Sequence, residues 1–124
     1  MSFTDAEVSY LRSQTLGRMA TQHPNGTLQV NPVAFVVNDD GTIDIGGHRM
    51  EASRKFRNVR ANGRVAFVVD DLVSVDPWQV HCLEVRGTAE TVPRDPDSPA
   101  VGSGDLIRIT PTWVRSYGLD GSTG

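Results

Sequence analysis

Two clusters of turn residues, Pro24-Asn25-Gly26 and Asn38-Asp39-Asp40-Gly41, cut the first half of the chain into short segments rich in β-branched residues. Asn-Gly and Asp-Gly steps supply the positive-φ positions that tight connections between antiparallel strands need. Gly17 to His23, Thr27 to Val37 and Thr42 to Gly46 therefore read as strands joined by hairpin turns. Arg64 to Val69 is an apolar run of strand length, with Asp70-Asp71 read as the turn that closes it. His81 to Val92 and Leu106 to Thr110 alternate as strands do, and Pro93 to Gly104, with three Pro and two Gly, reads as a mobile loop between them. One helix precedes the series and one interrupts it. Thr4-Asp5-Ala6-Glu7 has the form of a capping box, and Ser53 to Asn62 places Phe56 and Val59 three apart among Arg, Lys and Asn, with Gly63 as its stop. Many short strands with one interrupting helix favour a small β-barrel, because closing the sheet removes exposed edges.

At 124 residues the chain is one domain, spanning 1–124, large enough to build a core without staples. The single Cys82 has no partner within the chain, and no N-terminal segment joins a basic start to an apolar run, so a cytoplasmic protein is expected. No stretch approaches the roughly 20 apolar residues of a membrane-spanning helix, and no membrane role is expected. His23, His48 and His81 are too widely spaced for a recognisable metal site, and Cys82 reads as a small buried hydrophobe.

The charge is unevenly placed. Residues 49 to 64 hold six of the 12 basic side chains (Arg49, Arg54, Lys55, Arg57, Arg60 and Arg64) and one acid, Glu51, in a chain whose net charge is −3. A cationic island on an otherwise anionic protein suits one small anion better than nucleic acid. With Ser53 as the helix cap, Arg54 and Lys55 fall in the first turn, where they oppose the helix macrodipole. A bound phosphate reverses that penalty, taking bonds from the Ser53 hydroxyl, from free backbone N–H groups and from both cationic heads. For Arg57, Arg60 and Arg64 a solvated face is the simpler reading.

Ser53-Arg54-Lys55, eight residues, then Arg64-Val65 opening an apolar strand resembles the flavin-phosphate motif of the pyridoxamine 5′-phosphate oxidase-like split β-barrels. Gly17-Arg18-Met19-Ala20-Thr21, Val30 to Phe35, Asp40-Gly41, Ile43 to Gly46, Pro77-Trp78-Gln79-Val80 and Val85 to Glu90 follow in the family's order. Arg108 to Trp113 and Tyr117-Gly118-Leu119-Asp120 are similar to the branch that uses the deazaflavin coenzyme F420. The resemblance implies a mainly β fold, a six-stranded antiparallel split β-barrel with short flanking helices. It also implies a homodimer with the cofactor at the subunit interface and hydride transfer to an unsaturated or aromatic small molecule.

By the same resemblance the phosphate would rest on Ser53, Arg54 and Lys55. Backbone near Asn31, Pro32 and Val33 and near Ile45, Gly46 and Gly47 would flank the ring, and Trp78 and Gln79 would approach it. Two departures favour F420 over FMN and over pyridoxamine phosphate chemistry. Val30 to Phe35 lacks the Arg and Lys with which the oxidases hold FMN, and the chain ends Gly121-Ser122-Thr123-Gly124 without their basic, His-containing substrate motif. FMN remains the alternative cofactor, and a carrier that binds flavin or F420 without turnover the alternative role. No catalytic side chain is singled out, since the cofactor carries the chemistry and the protein supplies orientation and a dry pocket.

Overall fold

A computed structural model describes residues 3–119; Asp120 and the Gly121–Gly124 tail lie outside the described residues. Helix α1 (Asp5–Arg12) precedes strands β1 (Leu16–Gln22), β2 (Leu28–Val37) and β3 (Ile43–Gly46). A 3-10 turn (Met50–Ala52) and helix α2 (Arg54–Ala61) lead into β4 (Arg64–Ser74), β5 (Gln79–Val92) and β6 (Leu106–Tyr117). All neighbouring strands are antiparallel and the sheet closes in the order β1-β2-β3-β6-β5-β4. The six-stranded barrel with short helices is thus the architecture expected.

Alternation builds the interior. Met19, Phe35, Ile45, Phe67, Leu83 and Ile109 are nearly inaccessible, and Phe35 meets Phe67 edge to face at 5.2 Å. Closure depends on the short strand β3, which meets β6 through Ile43–Ile109, Asp44–Arg108 and Ile45–Ile107. The central pair is ionic: Arg108 Nε and Nη2 donate to the two oxygens of buried Asp44 at 2.8 and 3.1 Å.

Helix α1 forms its capping box, with the Glu7 N–H donating to Thr4 Oγ1 and the Thr4 N–H to Glu7 Oε1. Glu7 is buried, and its second oxygen accepts from Ser116 Oγ of β6 at 2.6 Å. Tyr10 donates to Asp71 Oδ1 at 2.7 Å, and His81 Nδ1 lies 3.0 Å from the same oxygen.

Four local expectations change. Asp70-Asp71 is no turn, because β4 continues to Ser74. The pairing of β4 with β1 ends at Val68, opposite Arg18, so beyond that point the acids meet side chains instead: Asp70 pairs with Arg18, and Asp71 with Tyr10 and His81. Strand β6 runs past Thr110 to Tyr117, with Pro111 accommodated at a register shift opposite Arg86 and Gly87. Helix α2 ends on Asn62 in extended conformation, not on a left-handed glycine. Gly63 serves close approach, since its carbonyl accepts from the Ala89 N–H at 2.6 Å and a Cβ would sit 2.7 Å from the Ala89 oxygen. Residues 93–104, read as a mobile loop, are tied down: Arg94 donates to three carbonyls of its own segment, and Ala100 is buried.

Candidate functional site

Ser53 caps α2 as its sequence position suggests, accepting from the Phe56 N–H at 3.3 Å. The hydroxyl also donates to the Met50 carbonyl at 2.7 Å. To serve a phosphate it must rotate away from Met50, whereas the Arg54 and Lys55 N–H groups precede any intrahelical acceptor and are available. None of the six basic side chains of residues 49–64 forms an ion pair among the described residues. Among the described residues no acid therefore neutralises the island by an ion pair. Its one acid, Glu51, is turned onto the Asp105 N–H at 2.7 Å, and that bond holds its carboxyl below the ordinary value of 4.5.

The first turns of α2 face the β1–β2 hairpin across a groove of about 600 Å³ lined by Arg54, Arg57, Asn58, Gln29 and His23 among others. Arg57, expected on a solvated face, thus joins Arg54 in the groove, and His23 lines it while His48 is exposed elsewhere. Arg60 and Arg64 are exposed, as a solvated face requires, Arg60 with its guanidinium 5.9 Å from the Phe56 ring centroid and Arg64 donating to Gln22. Asn58 is buried and donates to Thr21 Oγ1 at 3.0 Å and to Gln29 Oε1 at 3.3 Å, fixing the distance between helix and hairpin. Arg57 was visible as part of the charge cluster. Nothing in the α2 periodicity marked Asn58 or Gln29, whose roles arise only when the hairpin packs on the helix.

Asn31, Pro32 and Val33 sit on β2 beside Ile45, Gly46 and Gly47, because Ala34 pairs with Gly46. The two expected ring-flanking segments are thus side by side. Val33 and Ile45 point into the core, and Gly46-Gly47 is covered by Ala100 to Gly102. Trp78 and Gln79 are remote within one chain. Trp78 is exposed and Gln79 begins β5, whereas α2 packs by Ala89, roughly 30 Å further along that strand at 3.3 Å per residue.

Tyr10 and Tyr117 are poor proton donors at neutral pH. Burial and the bond to Asp71 push the Tyr10 phenol far up from its usual 10.0, and contact with the Cys82 thiol raises Tyr117. Among the described residues no three His, Cys, Asp or Glu side chains gather to hold a metal, and no helix is long and apolar enough to cross a membrane.

Known proteins share both sequence and fold. A reductase of Streptomyces rimosus subsp. rimosus, named for 5a,11a-dehydrotetracycline and 5a,11a-dehydrooxytetracycline, is 43% identical over 128 residues, covering 100% of this chain and 90% of its own. A structure titled F420 reductase superposes with TM-score 0.66 at 28% identity, over 86% of this chain and 94% of that one. A FAD-binding protein of Mycobacterium smegmatis gives TM-score 0.70 at 25% identity, over 94% and 96% of the two chains. The family described as pyridoxamine 5′-phosphate oxidase matches residues 3–118, so with barrel order, capped helix and full-length similarity in agreement, the chain belongs to that family.

Proposed function

We propose that the protein is an F420-dependent oxidoreductase that delivers hydride to an unsaturated or aromatic small molecule. The observation that carries this reading is the cationic start of α2, which forms no ion pair among the described residues and places Arg54 on a groove, in a chain 43% identical to a reductase named for 5a,11a-dehydro compounds. Two cations and free N–H groups at a capped helix start fit a phosphate ester, each charge-assisted bond contributing about 1.5–3 kcal/mol. FMN fits less well, because β2 from Val30 to Phe35 offers no cation to it.

When bound, the reduced deazaflavin supplies the hydride. Arg54, which lines the groove, and Lys55, next to it in the first turn of α2 but outside the groove's lining, anchor its anionic end; Arg57 extends the positive wall of the groove, and Asn58 with Gln29 fixes the groove's width. The adjoining backbones of Asn31–Val33 and Ile45–Gly47 border the ring. Trp78 and Gln79 complete the pocket from a second copy, in a homodimer with the cofactor at the interface. Their distance from α2 within one chain supports this, as do the exposed apolar side chains Leu72, Val73, Val75 and Trp78 at the end of the β4–β5 hairpin. A cytoplasmic enzyme, with F420 and a small molecule as its ligands, accords with the lone Cys82.

The test is reduction of a panel of cyclic enones and 5a,11a-dehydrotetracyclines by chemically reduced F420 or FMN, followed by F420 absorbance and product mass. Gain of two mass units with F420 alone is expected. Turnover with FMN only would replace F420 by FMN, and binding without turnover of any acceptor would favour the carrier.

A further inference from the structure

The segment joining β5 to β6 is folded on its own guanidinium. Arg94 Nε donates to the Gly104 carbonyl at 2.8 Å, Nη1 to Ala100 at 2.8 Å and Nη2 to Val101 at 2.9 Å. The Asp97 N–H on Asp95 Oδ1 and the Ala100 N–H on Ser98 Oγ shape the rest of this strap. No carboxylate pairs with Arg94 among the described residues, so all three nitrogens are committed to main-chain carbonyls.

Three contacts hold the strap against the end of β3 and the connector from there to α2. The Val101 carbonyl lies so close over Gly46 that any Cβ there would collide with it. Gly102, at φ 85°, forms a bridge with Gly47, and the Asp105 N–H donates to Glu51 Oε1. Apart from the strap, the connector is held by Met50, which is buried in the core, and by the hydrogen bonds of its own 3-10 turn. It contains Arg49 at φ 56°, the only non-glycine residue in the left-handed region among the described residues, a conformation that persists only where surroundings enforce it. One residue later the Met50 carbonyl accepts both the N–H and the hydroxyl of Ser53, so the position of the connector sets the position of the helix cap.

We infer that Arg94 is a positioning residue for the anion site: by closing the strap on Gly46, Gly47 and Glu51 it holds the connector in the arrangement that presents Ser53 and the first turn of α2 to the ligand. Arg94 need not touch the ligand. The inference rests on the reading of that turn as a cofactor-phosphate site, and the experiment separates the two.

In the full-length chain, Arg94→Ala, Arg94→Lys, Glu51→Ala, Glu51→Gln and Arg54→Ala are compared with the parent by F420 fluorescence titration and by amide hydrogen exchange. Arg94→Ala should speed exchange across Gly46–Ser53 and weaken F420 by about tenfold, with β1 and β4 amides unchanged. Arg94→Lys should recover only part of each effect, since one ammonium cannot span three carbonyls. Glu51→Ala cuts the strap at Asp105 without touching Arg94 and should act in the same direction, with Glu51→Gln milder; it carries the test if Arg94→Ala does not fold. Arg54→Ala should weaken F420 and leave exchange at Gly46–Ser53 unaltered.

Unchanged exchange in the strap variants overturns the inference. So does faster exchange with unchanged affinity, which would make the strap a stabiliser of the fold alone. If the strap variants weaken F420 while Arg54→Ala does not, the phosphate reading falls and this inference with it; if Arg54→Ala weakens F420 while the strap variants do not, the phosphate reading stands and the inference alone falls. If the parent itself does not bind F420 or FMN, both fall.

Discussion

Replacing Arg108 by Met strips the positive partner from Asp44 at the seam that closes the barrel. Asp44 is 3% exposed, lies at the middle of the three β3–β6 pairs, and receives both of its charge-assisted bonds from Arg108. Leaving a buried ion unpaired costs about 3–5 kcal/mol. The Arg108 side chain is 36% exposed, so water reaches the vacated position and the expected loss comes down to about 2–3 kcal/mol. An unfolding entropy of about 2.1 cal/mol/K per residue makes each kcal/mol about 4 °C for a chain of this size, so Tm should fall by about 8–12 °C. Differential scanning fluorimetry and urea denaturation at pH 7 read this directly. The double variant Asp44→Val with Arg108→Leu should regain most of the loss, since an apolar cross-strand pair leaves no stranded charge. A single variant within about 2 °C of the parent, or a double variant as unstable as the single, would refute the assignment of the pair to barrel closure.

Other outcomes follow from the same structure. Both tyrosines should resist ionisation in an absorbance titration at alkaline pH, Tyr10 the more strongly, because both phenols are raised from 10.0. A raised phenol stabilises the fold fully below pH 10 and loses that contribution as pH climbs toward its folded value, so urea midpoints should decline above pH 10 and Tyr10→Phe should flatten the decline. Glu51 has the opposite sign. Its lowered carboxyl supports the strap above 4.5 and releases it as pH falls below that, so hydrogen exchange at Asp105 should quicken in acid, after correction for intrinsic rates, and Glu51→Gln should abolish the pH response. Lys55→Ala should weaken F420 by about tenfold or more in a fluorescence titration, and unchanged affinity would remove Lys55 from the site.

The parts legible in the sequence are those with local causes. The hairpin turns at Gly26 and Gly41, the capping box at Thr4 and the Ser53 cap each depend on side chains within a few residues of one another, and all four appear in the structure. Asp70-Asp71 misleads because an acid pair in a strand is tolerated only where β4 has outrun β1 and where Arg18, Tyr10 and His81 arrive from elsewhere. The order imposed by Arg94 was hidden for a related reason: composition reports little apolar content in residues 93–104 and is blind to a guanidinium holding three carbonyls. At the site, the charge cluster was plain, but which cations face the groove depends on packing against the hairpin. That packing brings in Arg57 along with Arg54 and makes buried Asn58 the spacer.

The most direct test of the central claim is a fluorescence titration of the parent and of Arg54→Ala with F420 and with FMN at matched ionic strength. The account predicts saturable F420 binding, FMN at least about tenfold weaker, and a further loss of about 10- to 150-fold for F420 in Arg54→Ala, the equivalent of one charge-assisted phosphate bond. Tight FMN binding with indifference to F420, or equal F420 affinity in the parent and the variant, would contradict it.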